Sequence, residues 1–216
     1  MRWDLLFFDL DGTLTESGPG VMRGVRYAFA ALGEAAPEEA ELRGFIGPTN
    51  IDSFSRYFPP ARAAEALRRF REYYGKTGWL ENAPYPGIEA CLDALRAAGA
   101  RLFVATSKME SSARQVMDHF GLTPYFEAIC GATADDPAHG AKEVVLREAL
   151  RQAGCTEPRR AVMIGDRKFD ILGGHAAGIE TVGVLYGYGS REELRQAGAD
   201  AIVGTVAELQ SFLLNA

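Results

Sequence analysis

The chain has 216 residues, 47% of them hydrophobic and 24% charged, with a formal charge of -6. That length carries one sizeable core with an inserted piece or two small domains, and the mix is that of an ordinary globular protein rather than a disordered or fibrous one. The acidic balance gives no electrostatic reason to bind a nucleic-acid polymer or an anionic membrane, and no run reaches the ~20 apolar residues of a membrane helix, so the expected setting is the cytoplasm.

Four apolar residues, Leu5 to Phe8, open the chain as a strand covered on both faces, and the strand ends on Asp9 and Asp11. Strand side chains alternate, so both carboxylates point the same way. Gly12 and Thr13 follow as a turn whose backbone amides can approach a ligand. Two like charges ~4 Å apart repel by about 1 kcal/mol in water and several times more when desolvated, which calls for a cation. A hard, all-oxygen donor set suits Mg²⁺ together with substrate phosphate oxygens.

From Gly20 to Leu80 no strand is legible, but helical faces recur at Val21, Val25, Phe29, Leu32 and at Ala63, Leu67, Phe70, Tyr74. The turn-rich stretches ESGPG (Glu16–Gly20) and ENAPYPG (Glu81–Gly87) bracket them as linkers. Residues 16–83 therefore read as a helical cap inserted after the first strand, leaving 1–15 and 84–216 as an α/β core. GPGVMRG (Gly18–Gly24) has the wrong spacing for a dinucleotide loop.

Beyond the insert, strands and helices alternate. Ile88, Cys91, Leu92 and Leu95 mark one helix, and Ala113, Val116, Met117 and Phe120 another. Between them Arg101–Ala105 is a strand running into Thr106, Ser107 and Lys108, whose hydroxyls and ammonium are suited to a phosphate; helix capping is the alternative for the two hydroxyls. Glu127–Cys130 is a further strand. Lys142 starts the helical pattern Lys142, Val145, Leu146, Ala149.

Ala161–Ile164 is a strand leading to Asp166 and Asp170, and a helix beginning near Asp166 would bring that (i, i+4) pair to one side. Thr181–Val184 and Ala201–Val203 complete the strands, and Ser190 with Glu193 and Thr205 with Glu208 fit capping boxes. The alternation implies a Rossmann-like parallel sheet with helices on both sides and ligands at the carboxyl ends of the strands. Cys91, Cys130 and Cys155 read as buried thiols of a reducing compartment. His119, His139 and His175 have no metal-like spacing and read as structural or exposed, His139 being the one placed in the loop before Lys142.

DLDGT at Asp9–Thr13, the strand-terminal Thr106, Lys142 and GDRKFD at Gly165–Asp170 resemble the four motifs of the haloacid dehalogenase superfamily, in order and over essentially the whole chain. The helical insert is similar to the small cap of its phosphoglycolate-phosphatase-like branch. FIGPTNIDSF, VATSK and GVLYGYGSREELRQAGAD resemble bacterial members described as 5'-nucleotidases or phosphoglycolate phosphatases.

The resemblance implies a phosphatase acting on a small phosphorylated metabolite through an aspartyl-phosphate. It makes Asp9 the nucleophile and Asp11 the acid that protonates the leaving oxygen and then the base that deprotonates water. It gives Mg²⁺ to Asp9, the Asp11 backbone carbonyl and Asp166, with Asp170 in support, and it sets Thr106 and Lys142 on the phosphoryl group. Gly12, Ser107 and Lys108 would contact substrate. In the cap loop Arg43–Asn50, Arg43 would meet a substrate carboxylate, whereas Phe45, Phe54 and Tyr57 would pack a nucleobase. A phosphomutase shares the first step, and a phospho-accepting signalling domain shares the residue types. The second aspartate, Asp11, speaks against dehalogenation.

Overall fold

The computed structural model describes residues 1–133 and 140–216; His139 lies outside the described residues. Six strands form one all-parallel sheet in the order β3-β2-β1-β4-β5-β6. They are β1 (Leu5–Phe8), β2 (Arg101–Met109), β3 (Ala128–Ala132), β4 (Ala161–Gly165), β5 (Glu180–Val184) and β6 (Ala201–Val203). β1 is central because it is apolar on both faces: Leu6 and Phe8 enter one core cluster, with helices α5 (Ile88–Ala97), α6 (Glu110–His119) and α10 (Val206–Asn215). Leu5 and Phe7 enter the opposite cluster, where Phe7 stacks on Phe103 at 5.1 Å and α7 (Lys142–Gln152) supplies Val145, Leu146 and Ala149. Burying each such phenylalanine contributes about 1.5–3 kcal/mol. α8 (Lys168–Ala176) packs on β4 and β5, and α9 (Arg191–Gln196) lies beside α8 and β6.

Residues 18–80 hold only helices: α1 (Gly18–Ala31), α2 (Glu39–Leu42), α3 (Asn50–Ser55) and α4 (Pro60–Lys76), joined by short 3₁₀ turns. They bury a cluster of their own, in which Val25, Phe29, Phe54, Ala63, Ala66 and Phe70 meet. α1 starts inside the stretch expected to be linker, because Pro19 in its first turn needs no donor there. The chain leaves and returns at one place: Glu16 N–H donates to Ala83 O at 2.7 Å, Gly20 N–H to Glu81 O at 3.2 Å, and Thr15 bridges Pro84.

Each expected capping box forms by half. Ser190 and Thr205 accept from the N–H groups of Glu193 and Glu208 at 3.0 and 3.1 Å. The Glu193 carboxylate is drawn instead to Arg167 and the Lys168 N–H, and that of Glu208 to the Gly204 N–H. All three cysteines are free, and Cys155 is half-buried rather than buried. Among the described residues no helix is long and apolar enough to cross a membrane.

Candidate active site

Strand register decides which residues meet. Phe8 lies level with Val104 on one side and Ile164 on the other, so Asp9, just past β1, stands level with Ala105 and Gly165, with Thr106 and Asp166 one residue further on. β1 stands where chain order reverses across the sheet, the crevice that parallel α/β sheets use for ligands. The last β1 bond runs from Asp9 N–H to Ile164 O at 2.9 Å. The chain then turns tightly, with the N–H groups of Thr13, Leu14 and Thr15 all converging on Leu10 O. Gly12 makes that turn at φ +89°, and a Cβ there would stand 2.3 Å from Asp166 Oδ2.

Three buried carboxylates gather at this point: one oxygen from each of Asp9, Asp166 and Asp170 lies within 4.8 Å of the others. The Lys142 ammonium stands among them, 2.8 Å from Asp9 and 2.8 Å from Asp170, and donates to Ala105 O at 3.0 Å. Burial pushes the Asp9 carboxyl up to about 6, against the pull of Lys142 and with the help of Asp170. Asp166 is raised well above the carboxylate range by burial first, then by Asp170 and Asp9. Burial alone would lower Lys142, but Asp170 and Asp9 outweigh it and the ammonium is held charged.

One lysine does not balance three carboxylates. Asp166 Oδ1 is buried with no hydrogen-bond partner, while Oδ2 accepts from Tyr188 N–H at 2.7 Å. Leaving such an oxygen unpaired costs roughly 1–3 kcal/mol or more for a charged group. An all-carboxylate donor set with an orphaned oxygen fits a hard divalent cation.

Asp166 and Asp170 come together by another route than the expected helix. Arg167 is extended (φ -122°, ψ 158°), α8 starts at Lys168, and Asp170 in its first turn accepts from Arg167 N–H at 3.0 Å. Thr106 and Ser107 do not cap a helix. β2 continues through them past a register shift to Met109, and the Thr106 hydroxyl accepts from Lys108 N–H at 3.3 Å. The Gly12 amide is spent inside the turn, donating to Thr15 O at 2.8 Å, so Gly12 is there for close approach and not as a free donor.

A cavity of about 530 Å³ opens above Asp9 and Asp11, between the sheet end and the helical segment. Thr106, Ser107 and Lys108 line its sheet side, and Phe45, Leu67, Phe70, Arg71 and Tyr74 line the other. Arg43 is exposed and absent from the lining; the arginine of the helical segment that lines the cavity is Arg71. Phe54 belongs to the helical core and Tyr57 stacks behind Phe45, so of the three expected aromatics only Phe45 faces the cavity. Arg167 pairs with Glu193 at 2.8 Å and donates to Ile46 O, a contact between the sheet end and the helical segment.

Tyr74 was expected only on a helical core face, and Arg71 and the loop at Gly187–Tyr188 were not expected at the site. The last did leave a signal, glycine alternating with tyrosine in YGYG twenty residues after Asp166. A Cβ on Gly187 would fall 2.2 Å from Gly12 O and 2.5 Å from Asp166 Oδ2, so the loop closes directly on the carboxylates.

A haloacid dehalogenase-like hydrolase family model matches residues 6–184. A protein named 5'-nucleotidase from Pseudomonas aeruginosa is 41% identical over 99% of this chain and 96% of its own. Tyrosine-protein kinase PtkA of Mycobacterium tuberculosis is 38% identical over 97% of this chain and 72% of its own. A phosphoglycolate phosphatase of Mesorhizobium japonicum is 31% identical over 94% and 91%. Among solved structures, a predicted phosphatase from Clostridium acetobutylicum superposes with a TM-score of 0.95 at 38% identity, covering all of both chains. With the parallel sheet, the acid cluster at its switch point and these matches along nearly its whole length, the chain belongs to the haloacid dehalogenase-like hydrolase family.

Proposed function

We propose that this protein is a Mg²⁺-dependent phosphatase of small phosphomonoesters, working through an aspartyl-phosphate, with residues 16–83 as the cap over the site. The observation that carries this reading is Asp9 at the floor of the cavity, beside Asp166, Asp170 and Lys142. Asp9, the Asp11 carbonyl and Asp166 would hold the ion, with Asp170 in support, and when bound it would offset charge on the phosphoryl oxygens.

In the first step an Asp9 oxygen bonds to phosphorus, the bond to the leaving oxygen breaks, and Asp11 gives that oxygen a proton. In the second, water bonds to phosphorus, Asp11 takes its proton, and the Asp9–phosphorus bond breaks to release phosphate. Thr106 and Ser107 donate to the phosphoryl oxygens from the end of β2. Lys142 keeps Asp9 ionised and oriented for attack.

Of the two substrate types, a nucleoside 5'-monophosphate suits the cavity better than phosphoglycolate. A space of about 530 Å³ walled by Phe45, Leu67, Phe70 and Tyr74 matches a nucleoside leaving group. The named activity of the Pseudomonas relative points the same way.

The test is phosphate release from nucleoside monophosphates, phosphoglycolate and sugar phosphates, with and without EDTA. Activity that survived EDTA, or an Asp9→Asn protein with full turnover, would overturn the mechanism. A phosphoenzyme that never turns over would make the protein a phospho-acceptor, and return of phosphate to a sugar phosphate would make it a mutase.

A further inference from the structure

Lys108 was expected to hold a phosphate, yet its ammonium has nothing left to give. An ammonium carries three N–H donors. Lys108 Nζ lies 3.0 and 2.9 Å from the two oxygens of Asp11 and 2.7 Å from Tyr74 Oη, so all three are spent. We infer that Lys108 and Tyr74 are positioning residues: Lys108 fixes the plane of the Asp11 carboxylate, and Tyr74 fixes Lys108 only while α4 is seated on the sheet end. This inference rests on the proposed phosphatase role of Asp11.

The three groups come from three places in the chain. Asp11 lies in the turn after β1, Lys108 in the irregular stretch of β2 between Ala105 and Met109, and Tyr74 on α4 of the helical segment. All are sequestered, the side chains of Lys108 and Asp11 being 9% and 14% exposed and Tyr74 buried. Desolvation strengthens such contacts and makes an unpaired donor costly.

A carboxylate held at both oxygens cannot turn about its own bond, so Lys108 decides which way the Asp11 oxygens face. Tyr74 in turn cannot drift, because its ring stacks on Phe70 at 5.3 Å within the helical core. The position of α4 is thereby transmitted through two hydrogen-bonded contacts to the proton-transfer group. The Lys108 ammonium also lies over the Tyr74 ring, 4.6 Å from its centroid, so phenylalanine at 74 keeps an aromatic face for the cation and loses only the oxygen.

The experiment uses p-nitrophenyl phosphate, whose leaving group departs without a proton, so phosphoenzyme forms independently of Asp11 and its loss to water does not. Turnover, steady-state phosphoenzyme and thermal midpoint are measured for the wild type, Tyr74→Phe, Lys108→Met and the double variant. Lys108→Met is expected to lower kcat about 100-fold, within the range of a misplaced acid–base group. Tyr74→Phe should lower it roughly 5- to 10-fold with kcat/KM within twofold, because phosphoenzyme formation is untouched. Phosphoenzyme should accumulate in both. The double variant should be no slower than Lys108→Met alone, because Tyr74 acts through Lys108.

A raised KM at unchanged kcat would make Lys108 a substrate ligand and overturn the inference. So would multiplicative losses in the double variant, or lowered midpoints with an unchanged phosphoenzyme fraction. Failure of the phosphatase reading shows separately, as a wild-type protein that releases no phosphate, and it would overturn the positioning role with it.

Discussion

Lys142 joins Asp9 to Asp170 across the sheet end, its ammonium 2.8 Å from each and its side chain only 3% exposed. Removing it leaves buried carboxylates without their cation. Breaking a buried pair in this way costs about 3–5 kcal/mol. Lys142→Met is expected to unfold at a lower temperature in EDTA, to regain part of the loss with Mg²⁺, and to lose at least 100-fold in turnover. Thermal scans with and without the ion check this.

Mg²⁺ binding is expected to weaken below about pH 6. Burial raises both Asp9, to about 6, and Asp166, and both must be ionised to serve as ligands. The sign follows from the direction of the shift. A carboxyl raised on folding stabilises the metal-free protein below its unfolded pKa, and that contribution is lost as pH rises through about 6. The rise in melting temperature produced by Mg²⁺ should therefore be larger at pH 8 than at pH 5. Equal gains at the two pH values would contradict the assignment.

Gly12→Ala should damage the site more than the fold. The new methyl group meets Asp166 Oδ2 at 2.3 Å, on a backbone with φ +89°. Strain of this kind costs about 1–3 kcal/mol. The expected result is a folded protein by circular dichroism, with weakened Mg²⁺ binding by calorimetry and turnover reduced about 10-fold or more.

Arg71, not Arg43, should govern how the leaving group is held. Arg71 lines the cavity from α4, whereas Arg43 is exposed outside it. Arg71→Ala should raise KM several-fold for the best substrate with little change in kcat, and Arg43→Ala should leave both within twofold. Steady-state kinetics on the two variants decide between them.

The fold was legible in the sequence because both-face burial leaves continuous apolar runs: Leu5–Phe8 and Ala201–Val203 have the bounds their patterns predict, and the other strands differ at their ends. The grouping of Asp9, Asp166, Asp170 and Lys142 was also legible, since strand ends in a parallel sheet converge. What failed was local geometry that no periodicity encodes. Asp166 and Asp170 meet through an extended Arg167 and not along a helix, and β2 runs four residues further than its apolar core. The partners of Lys108 were beyond reach for a different reason. Tyr74 and Asp11 lie 34 and 97 residues away, and only the packing of α4 on the sheet end brings them together.

The crossing at Thr15–Glu16 and Ala83–Pro84 brings the two ends of the helical insertion to one point, tied by their own backbone bonds. Loop-closure entropy grows only slowly with length, so the sheet is nearly indifferent to how much chain is looped out there. Another insert could be grafted at the same junction without shifting β1 or the register that sets Asp9 level with Gly165, one residue before Asp166. The acid cluster thus belongs to the α/β core alone, whereas the orientation of Asp11 also depends on Tyr74 of the insert. A graft without a counterpart of Tyr74 would keep the acid cluster and leave Lys108 with a donor to spare.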